Sequence, residues 1–278
     1  GGGKALIDAF LELLAESGAE IRCRAEVAGV LAKDGAVAGV RLSSGEEIAA
    51  KEVVATLNPT LLPQLLPKGA LRPVYLKRLK NLRQTMSAYI YFGKSHRSID
   101  ALQRSNLFVQ HEAGVFAPTG TLPLEERSFY LAAADQGGGD DGCGVIGIVP
   151  ADYTEVAAFS AAKTERSSGY PEKKQQLAEQ LQQMFAGACP ELAELDLLEL
   201  ATPLTLRDYS LAPEGAIYGV GRFIGQYNPH PVTRLPGLYL SGQAIAAPGL
   251  LGTVVAAYLT SGSILGHELL RGEIKKCR

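Results

Sequence analysis

The stretch LYLSGQAIAAPGLLGTVVAAYLTSG, residues 238–262, decides how the fold is interpreted. It contains an apolar strand at Leu238–Leu240, a turn of small residues and a long apolar helix expected from about Pro248 to Leu270. Gln243 is its one amide or charged side chain. Glycines let a backbone approach a ligand closely, and a helix N-terminus presents unpaired N–H groups with partial positive charge. The pattern fits a cofactor site, and it fits equally a C-terminal helix that only covers a sheet.

The composition indicates a folded chain with a sizeable core. Its 278 residues suggest one or two domains, and 46% of them are apolar. The formal net charge is −2 without a block of like charge, so nothing indicates a nucleic-acid-binding surface. No pair of carboxylates suggests glycosidase or metal chemistry.

Metal and disulfide chemistry are not indicated either. The cysteines form no CxxC pair, and none stands at metal-ligand spacing from a histidine; they are Cys23, Cys143, Cys189 and Cys277. The four histidines are isolated from one another. We therefore expect free, mostly buried thiols in a reducing, cytoplasmic compartment, and no metal site.

The chain start and the longest apolar run bear on location. The chain begins GGGKALIDAF, without an initiating Met or a signal-peptide pattern, so we expect it to be part of a longer protein. The apolar run 250–265 is interrupted by Gly, Thr and Ser and is too short and mixed for a membrane span. We expect a buried helix, with at most a peripheral contact to a membrane surface.

Periodicity predicts two kinds of structure along the chain. Residues 4–18 have the spacing of an amphipathic helix, and the following residues change to a period near two. We expect a strand after residue 18, then a meander with a hairpin at Asp34-Gly35, and a strand over Lys51–Thr56 that returns toward the first. The last fifty residues again have the pattern of a strand followed by a helix, with the strand at Leu238–Leu240.

The middle of the chain is different. Strands are expected over Thr85–Ser95, over SFYLAAA (128–134) and over CGVIGIVP (143–150), with the loop DQGGGDDG (135–142) as a hairpin tip. An amphipathic helix follows over 171–190, and a strand with a short helical turn over 195–210. We therefore predict an α/β (α+β) fold with two domains: residues 1–60 and 230–278 form one, and 61–229 form an antiparallel sheet with helices over one face.

Two tempting motifs are rejected. The glycines of IYGVGRFIG, residues 217–225, have the spacing GxGxxxG, and the prolines of the following QYNPHP exclude the helix that a dinucleotide site needs. We expect a loop or strand edge with close backbone approach there. Ser241 follows a strand, but Tyr239 and Gln243 stand where a hydrolase elbow requires glycine. Without self-contained catalytic groups, any chemistry would be carried by a cofactor.

Four segments together resemble one flavoprotein family. They are GGGKALIDAFLELLAESGAEIRCRAEVAGVL, EVVATLNP, ATPLTLRDYSLAPEGAIYGV and PGLYLSGQAIAAPGLLGTVVAAYLTSG. In this order they resemble the C-terminal part of the phytoene desaturase, carotenoid isomerase and retinol saturase group, which is related to the amine oxidases. The resemblance implies an incomplete FAD-binding, Rossmann-like domain with an inserted substrate domain. The strand–GxGxxG–helix that opens the family is absent from this chain.

The resemblance also implies roles for particular residues. The implied FAD contacts are Glu26 and Val27 near the adenine, Gly242 and Gln243 by the ribityl and pyrophosphate groups, and Gly252, Thr253 and Val254 under the pyrimidine end of the flavin. Many relatives carry an acid where Gln243 stands. Because the pyrophosphate motif is missing, we expect this chain alone to retain FAD weakly or not at all. The resemblance implies no catalytic side chain.

The function implied is flavin-dependent hydride transfer that desaturates, saturates or isomerises a double bond of an apolar polyene or isoprenoid. The aromatics of one strand, Tyr89, Tyr91 and Phe92, would line or cover an apolar tunnel, or they would be ordinary core. Two alternatives stay open: an amine-oxidase-like flavoenzyme with a polar substrate, and a non-catalytic substrate-binding or interaction module.

Overall fold

The computed structural model describes residues 2–103, 105–111, 122–134, 142–161 and 165–276. It divides the chain into two units. The first unit comprises Gly1–Ile21 and Met86–Ser210, and the second comprises Arg22–Thr85 and Leu211–Arg278. The boundaries predicted from the sequence, at 60/61 and 229/230, both fall within the second unit. The loop 135–142 lies outside the described residues, apart from Gly142.

The elements have the following bounds. The strands are β1 (Val27–Lys33), β2 (Ala36–Leu42), β3 (Glu47–Ala49), β4 (Val53–Ala55), β5 (Ser87–Ser95), β6 (Leu107–Val109), β7 (Phe129–Ala134), β8 (Cys143–Ala151), β9 (Asp196–Ala201) and β10 (Leu238–Leu240). The α-helices are α1 (Gly2–Glu16), α2 (Leu62–Leu65), α3 (Pro73–Lys80), α4 (Thr154–Ala157), α5 (Tyr170–Ala188), α6 (Pro203–Ser210), α7 (Gly249–Leu265) and α8 (His267–Lys276). Short 3₁₀ helices cover Asp100–Leu102, Leu124–Glu126, Pro190–Glu194 and Pro213–Gly215.

The first unit is built on a five-stranded antiparallel sheet in the order β6-β7-β8-β5-β9. Along β8 buried and half-buried residues alternate strictly, as expected for a sheet with one face on the core. The core face packs against α5, whose Phe185 ring stands edge-on to Tyr91 at 5.6 Å between centroids. A Cβ at Gly147, opposite Tyr91 in the register, would lie 2.5 Å from the Phe185 ring. The glycine therefore leaves the space that the ring fills.

The second unit contains a meander and a pair of parallel strands. β1, β2 and β3 form a three-stranded antiparallel sheet. Asp34 and Gly35 join β1 to β2, both with positive φ (53° and 79°), so the hairpin predicted from the Asp-Gly pair is confirmed. β4 pairs with β10 in parallel, with Val53 opposite Leu238 and Ala55 opposite Leu240. This pairing joins the two chain segments that form the second unit, Arg22–Thr85 and Leu211–Arg278.

Helix α7 packs on the parallel pair through small residues. Its buried positions include Gly252, Ala256 and Thr260, spaced four apart along one stripe of the helix. The Thr260 hydroxyl donates to the carbonyl oxygen of Leu240 at 2.9 Å, which fixes the helix to the end of β10. Across the described residues, no helix combines the length and the apolar character needed to cross a bilayer.

Two predictions about the ends of the chain are wrong in detail. The helix expected to run unbroken to Leu270 ends at Leu265, because Gly266 takes a left-handed φ of 96° and a second helix begins at His267. The strand expected after residue 18 does not form. Residues 19–25 have no neighbouring strand among those described, and a strand exists only where its N–H and C=O groups meet a partner.

The packing of α5 on the sheet yields a stability prediction. Phe185 is fully buried between Tyr91, Phe129 and Gly147, so Phe185→Ala should lower the free energy of unfolding by about 3–5 kcal/mol. The control is Gln183→Ala on the exposed side of the same helix, which should change it by less than about 0.5 kcal/mol. Urea unfolding followed by circular dichroism measures both. Equal effects would contradict this description of the core.

Candidate functional site

The parallel strands of the second unit end at a common edge. β4 ends at Ala55 and β10 at Leu240, and the N–H of Ser241 donates to the Ala55 carbonyl at 3.1 Å. Ligands of open α/β sheets bind outside the carboxyl ends of parallel strands. Gly242 lies at this edge with a φ of 97°, and a Cβ there would approach the Thr56 carbonyl oxygen to 3.4 Å. The positive φ is what favours glycine here, since a Cβ at 3.4 Å would make only an ordinary van der Waals contact.

Gln243 lies against a second glycine at the same edge. A Cβ added at Gly219 would lie 3.2 Å from the Gln243 amide nitrogen, and Gly219 has a φ of +65°. The segment around Gly219 is held by Thr85, whose N–H and hydroxyl donate to the Gly219 carbonyl at 2.8 and 3.1 Å. The loop or strand edge with close backbone approach that was predicted here is confirmed. Val220 forms an isolated antiparallel β-bridge with Gln84.

A pair of amides at this edge was not predicted from the sequence. The Asn58 amide donates to the Gln84 side-chain oxygen at 2.7 Å, and Asn58 accepts in turn from the N–H of Thr60 at 3.1 Å. Asn58 follows the strand predicted over Lys51–Thr56, and no function was predicted for it. Its partner Gln84 is distant in sequence, so no local pattern could have indicated the pair.

Arg222 was also missed. One of its terminal nitrogens lies within donor distance of three successive carbonyl oxygens, those of Ala244 (3.1 Å), Ile245 (2.7 Å) and Ala246 (3.0 Å). These carbonyls belong to the turn between β10 and α7. A guanidinium donates in a rigid fork and stays charged, so Arg222 fixes the path by which the chain enters α7.

The start of α7 is open. Pro248 precedes the helix without a side-chain cap, and a Cβ at Gly249 would meet nothing within 4 Å. Of the predicted contact residues in this turn, Gly252 is buried, whereas Thr253 and Val254 are exposed. The first-turn N–H groups of a helix lack intrahelical partners and carry partial positive charge. An electron-rich group of a ligand could lie against this turn.

Glu26 and Val27 lie elsewhere, where β1 of the three-stranded sheet begins. Their backbone is engaged with β2: Val27 pairs with Leu42, and the Glu26 carbonyl accepts from the N–H and hydroxyl of Ser43 at 2.8 and 3.2 Å. Gly242, Gln243 and the start of α7 are consecutive along one turn and helix, whereas Glu26 and Val27 belong to another sheet. The adenine contact implied for them stays a prediction.

The three aromatics of β5 divide between the two faces of its sheet. Tyr89 and Tyr91 are fully buried in the core of the first unit, where their hydroxyls lie 3.2 Å from the Glu155 and Gln182 side chains. Burial raises the pKa of both tyrosines, and at Tyr89 the Glu155 charge adds to this effect. Both hydroxyls therefore stay neutral. Phe92 alternates to the opposite face and is half-buried.

That opposite face is apolar across β5, β7 and β8, and its charged neighbours are Glu199, opposite Phe92 on β9, and Lys94, at the end of β5. Its cross-strand neighbours include Ile90 opposite Ile148 and Phe92 opposite Ile146, and all four are half-buried. Tyr130 continues the row from Ile148 and contacts the exposed ring of Phe108 at 4.9 Å between centroids. We call the residues Ile90, Phe92, Phe108, Tyr130, Ile146 and Ile148 the apolar sheet face.

Metal and thiol chemistry have no evident centre among the described residues. No group of three or more His, Cys, Asp and Glu side chains among them could hold a metal ion. Cys23, Cys143 and Cys189 are free thiols, the last two buried, as expected for these three positions. Cys277 lies outside the described residues. Ser241 is buried and donates its N–H to β4, which suits a structural position.

Comparison with known proteins identifies the family of this chain. Residues 1–262 match the model of the flavin-containing amine oxidoreductases, and the chain belongs to that family. The chain is 31% identical over 133 residues to the all-trans-retinol 13,14-reductase of Macaca fascicularis, covering 45% of this chain and 22% of that protein. It is 26% identical over 259 residues to the hydroxyneurosporene desaturase of Cereibacter sphaeroides, covering 90% of this chain and 49% of that one.

A solved structure supports the fold. An oxidoreductase from Methanosarcina mazei superposes with a TM-score of 0.55 over 94% of this chain and 53% of its own, at 14% identity. The α/β fold class predicted from the sequence is confirmed. The chain spans about half the length, or less, of the curated relatives named above. The family is thus established, and the activity of the whole protein is a matter for proposal.

The contact beneath α7 yields a prediction about the site. A Cβ at Gly252 would overlap the carbonyl group of Ala247, so Gly252→Ala must displace the turn that leads into the helix. We expect it to lower the free energy of unfolding by about 1–3 kcal/mol. The control is Gly272→Ala in α8, where an added Cβ meets nothing within 4 Å, and which should raise stability by about 0.5–1 kcal/mol. Thermal unfolding of both variants tests this, and two stabilised proteins would contradict the described contact.

Proposed function

We propose that the protein to which this chain belongs is an FAD-dependent oxidoreductase that changes the saturation or geometry of a double bond in an apolar polyene. The observation that carries this is the apolar sheet face, a row of aliphatic and aromatic side chains that is bordered on the edge strand by Glu199, opposite Phe92. A conjugated hydrocarbon offers nothing to hydrogen-bond, so it is bound by apolar contact. Membership of the flavin family and the names of the retinol reductase and the desaturase support the same substrate class.

The edge beside β4 and β10 is suited to hold part of the cofactor. Gly242 brings backbone within reach, and the Gln243 amide can both donate and accept hydrogen bonds. The uncapped first turn of α7 can stabilise negative charge on a reduced isoalloxazine ring. Arg222 would keep that turn in place. A bound flavin would supply the hydride acceptor or donor, while these residues bind and orient it.

The residues assigned to the cofactor in this chain come from one part of a flavin site. The strand–GxGxxG–helix that holds the pyrophosphate in such proteins is not in this sequence. We therefore propose that FAD is held firmly only where that motif is also supplied. The apolar sheet face would take the substrate, with Phe92 as the member identified from sequence.

Flavin and substrate binding are tested by absorbance and mass. The product of the complete source gene, incubated with FAD and freed of excess, should show the visible bands of a bound flavin. The chain of residues 1–278 alone should show them weakly or not at all. Product analysis should reveal a gain or loss of two hydrogens, or a geometric isomer, when retinol or a carotenoid is supplied. Turnover of a primary amine instead would favour the amine-oxidase alternative. Binding of a polyene without any bound flavin would favour the non-catalytic alternative.

The apolar sheet face generates a matched mutational prediction. Phe92→Glu places a charge in the apolar row, and burial of an unpaired carboxylate is unfavourable, so polyene turnover should fall by at least about tenfold. The control Gln183→Glu introduces an acid at an exposed position of α5, which packs on the other face of the sheet, and should leave turnover nearly unchanged. Both variants should retain the flavin absorbance of the parent. Equal losses in the two would remove this face from substrate binding.

A further inference from the structure

A cluster of basic residues lies on the second unit. The 16 residues from 68 to 83 contain six basic side chains and no acidic one, in a chain whose net charge is −2. They are Lys68, Arg72, Lys77, Arg78, Lys80 and Arg83. All six are exposed, and within the described part of the chain none forms an ion pair. Apolar residues interrupt them in sequence, so they make no continuous block.

Helix α3 has one buried, apolar side and one exposed side. It buries Leu79 and half-buries Tyr75 and Leu76 against the core of the second unit. The opposite side carries Lys77 and Arg78 together with Val74, which is 65% exposed. Helical spacing therefore places Lys77 and Arg78 on one exposed side of α3 together with Val74.

A tight turn adjoins this helix and carries a second exposed apolar residue. The N–H of Gln226 donates to the Phe223 carbonyl at 3.1 Å, and Gly225 has a φ of 79°, so Ile224 stands at the apex of the turn and is fully exposed. The Gln226 side chain accepts from the N–H of Arg83 at 3.1 Å and donates to the Gly221 carbonyl at 2.7 Å. These bonds attach the turn to the end of the basic segment.

The aromatic rings beside the turn are covered by arginine. The Arg83 guanidinium lies over the Phe223 ring at 3.9 Å, and the Arg78 guanidinium lies 5.7 Å from the centre of the Tyr227 ring. Single-stranded nucleic acids bind by stacking bases on open aromatic rings, and here those faces are occupied. The most exposed apolar side chains here are the aliphatic Ile224 and Val74, whereas the Phe223 ring is 37% exposed. The combination of basic and aliphatic side chains matches the headgroup region of an anionic bilayer, where basic side chains meet phosphate and apolar side chains reach the acyl boundary.

We propose that α3 and the turn 223–226 form a membrane-docking surface that places the second unit on an anionic lipid bilayer, with Ile224 and Val74 inserted and the six basic residues at the headgroups. This inference goes beyond the proposed function and does not depend on flavin binding. It does fit a polyene substrate, since such a molecule resides in lipid.

Vesicle co-sedimentation of the chain tests the proposal. Vesicles of phosphatidylcholine with 30% phosphatidylglycerol should bind the protein, and the binding should weaken as salt is raised from about 0.05 to 0.5 M. Each basic group near an anionic surface contributes about fivefold to the partition coefficient. The double variant Lys77→Gln/Lys80→Gln should therefore bind about 25-fold more weakly. Ile224→Ser should weaken binding by about tenfold or more through lost apolar burial.

Matched controls separate this surface from general effects. Lys33→Gln/Lys51→Gln removes the same charge from exposed positions of the same unit, and Leu198→Ser removes an exposed apolar side chain from β9. Both should bind like the parent, and circular dichroism should show all variants folded. The proposal is overturned if the chain does not bind anionic vesicles, if the control pair is as weak as Lys77→Gln/Lys80→Gln, or if a single-stranded oligonucleotide binds better than the vesicles. None of these readouts involves flavin, so they are independent of the absorbance test above.

Discussion

The parallel pairing of β4 with β10 is the contact on which the second unit depends. Three residue pairs, Val53 to Ala55 against Leu238 to Leu240, bring together segments from opposite ends of the chain. Parallel strands need a crossover between them, and here that crossover contains the segment Met86–Ser210 of the first unit, with all five strands of its sheet. The pairing sets where both strands end, and so it places the turn at Gly242, the Gln243 amide and the entry to α7 at one edge.

The site at this edge is built mostly from backbone, which explains the choice of residues around it. Glycines stand where a Cβ would meet a neighbouring group or where φ is positive, as at Gly219 and Gly242. Side chains act mainly on main-chain atoms: one terminal nitrogen of Arg222 lies within hydrogen-bonding distance of three carbonyl oxygens, and Thr85 holds the Gly219 segment. Such an arrangement positions a bound molecule rather than attacking it, in keeping with a family whose chemistry belongs to a cofactor.

Most helices and strands could be predicted from local signals in the sequence. Contacts between residues far apart in the sequence could not. The hairpin at Asp34-Gly35 was predictable because turn chemistry lies within two residues. The Asn58–Gln84 pair and the Arg222 contacts were not, because each joins segments distant in sequence. Residues 19–25 have the pattern of a strand, but a strand also requires a neighbour. The break between α7 and α8 could have been predicted from Gly266, because glycine is common just after the last turn of a helix. Apolar residues on both sides of Gly266 instead suggested one continuous helix.

The position of the first unit's sheet between β4 and β10 in the sequence has a consequence for the order of folding. All five strands of the first unit's sheet are synthesised before β10 leaves the ribosome, so that sheet can form while β4 still lacks its parallel partner. Contacts between residues far apart in sequence form late, because a long loop must first be closed. Until then the apolar strand β4 and the residues that pack around it stay open to other chains. The second unit is therefore the part of the molecule most exposed to misassembly during synthesis.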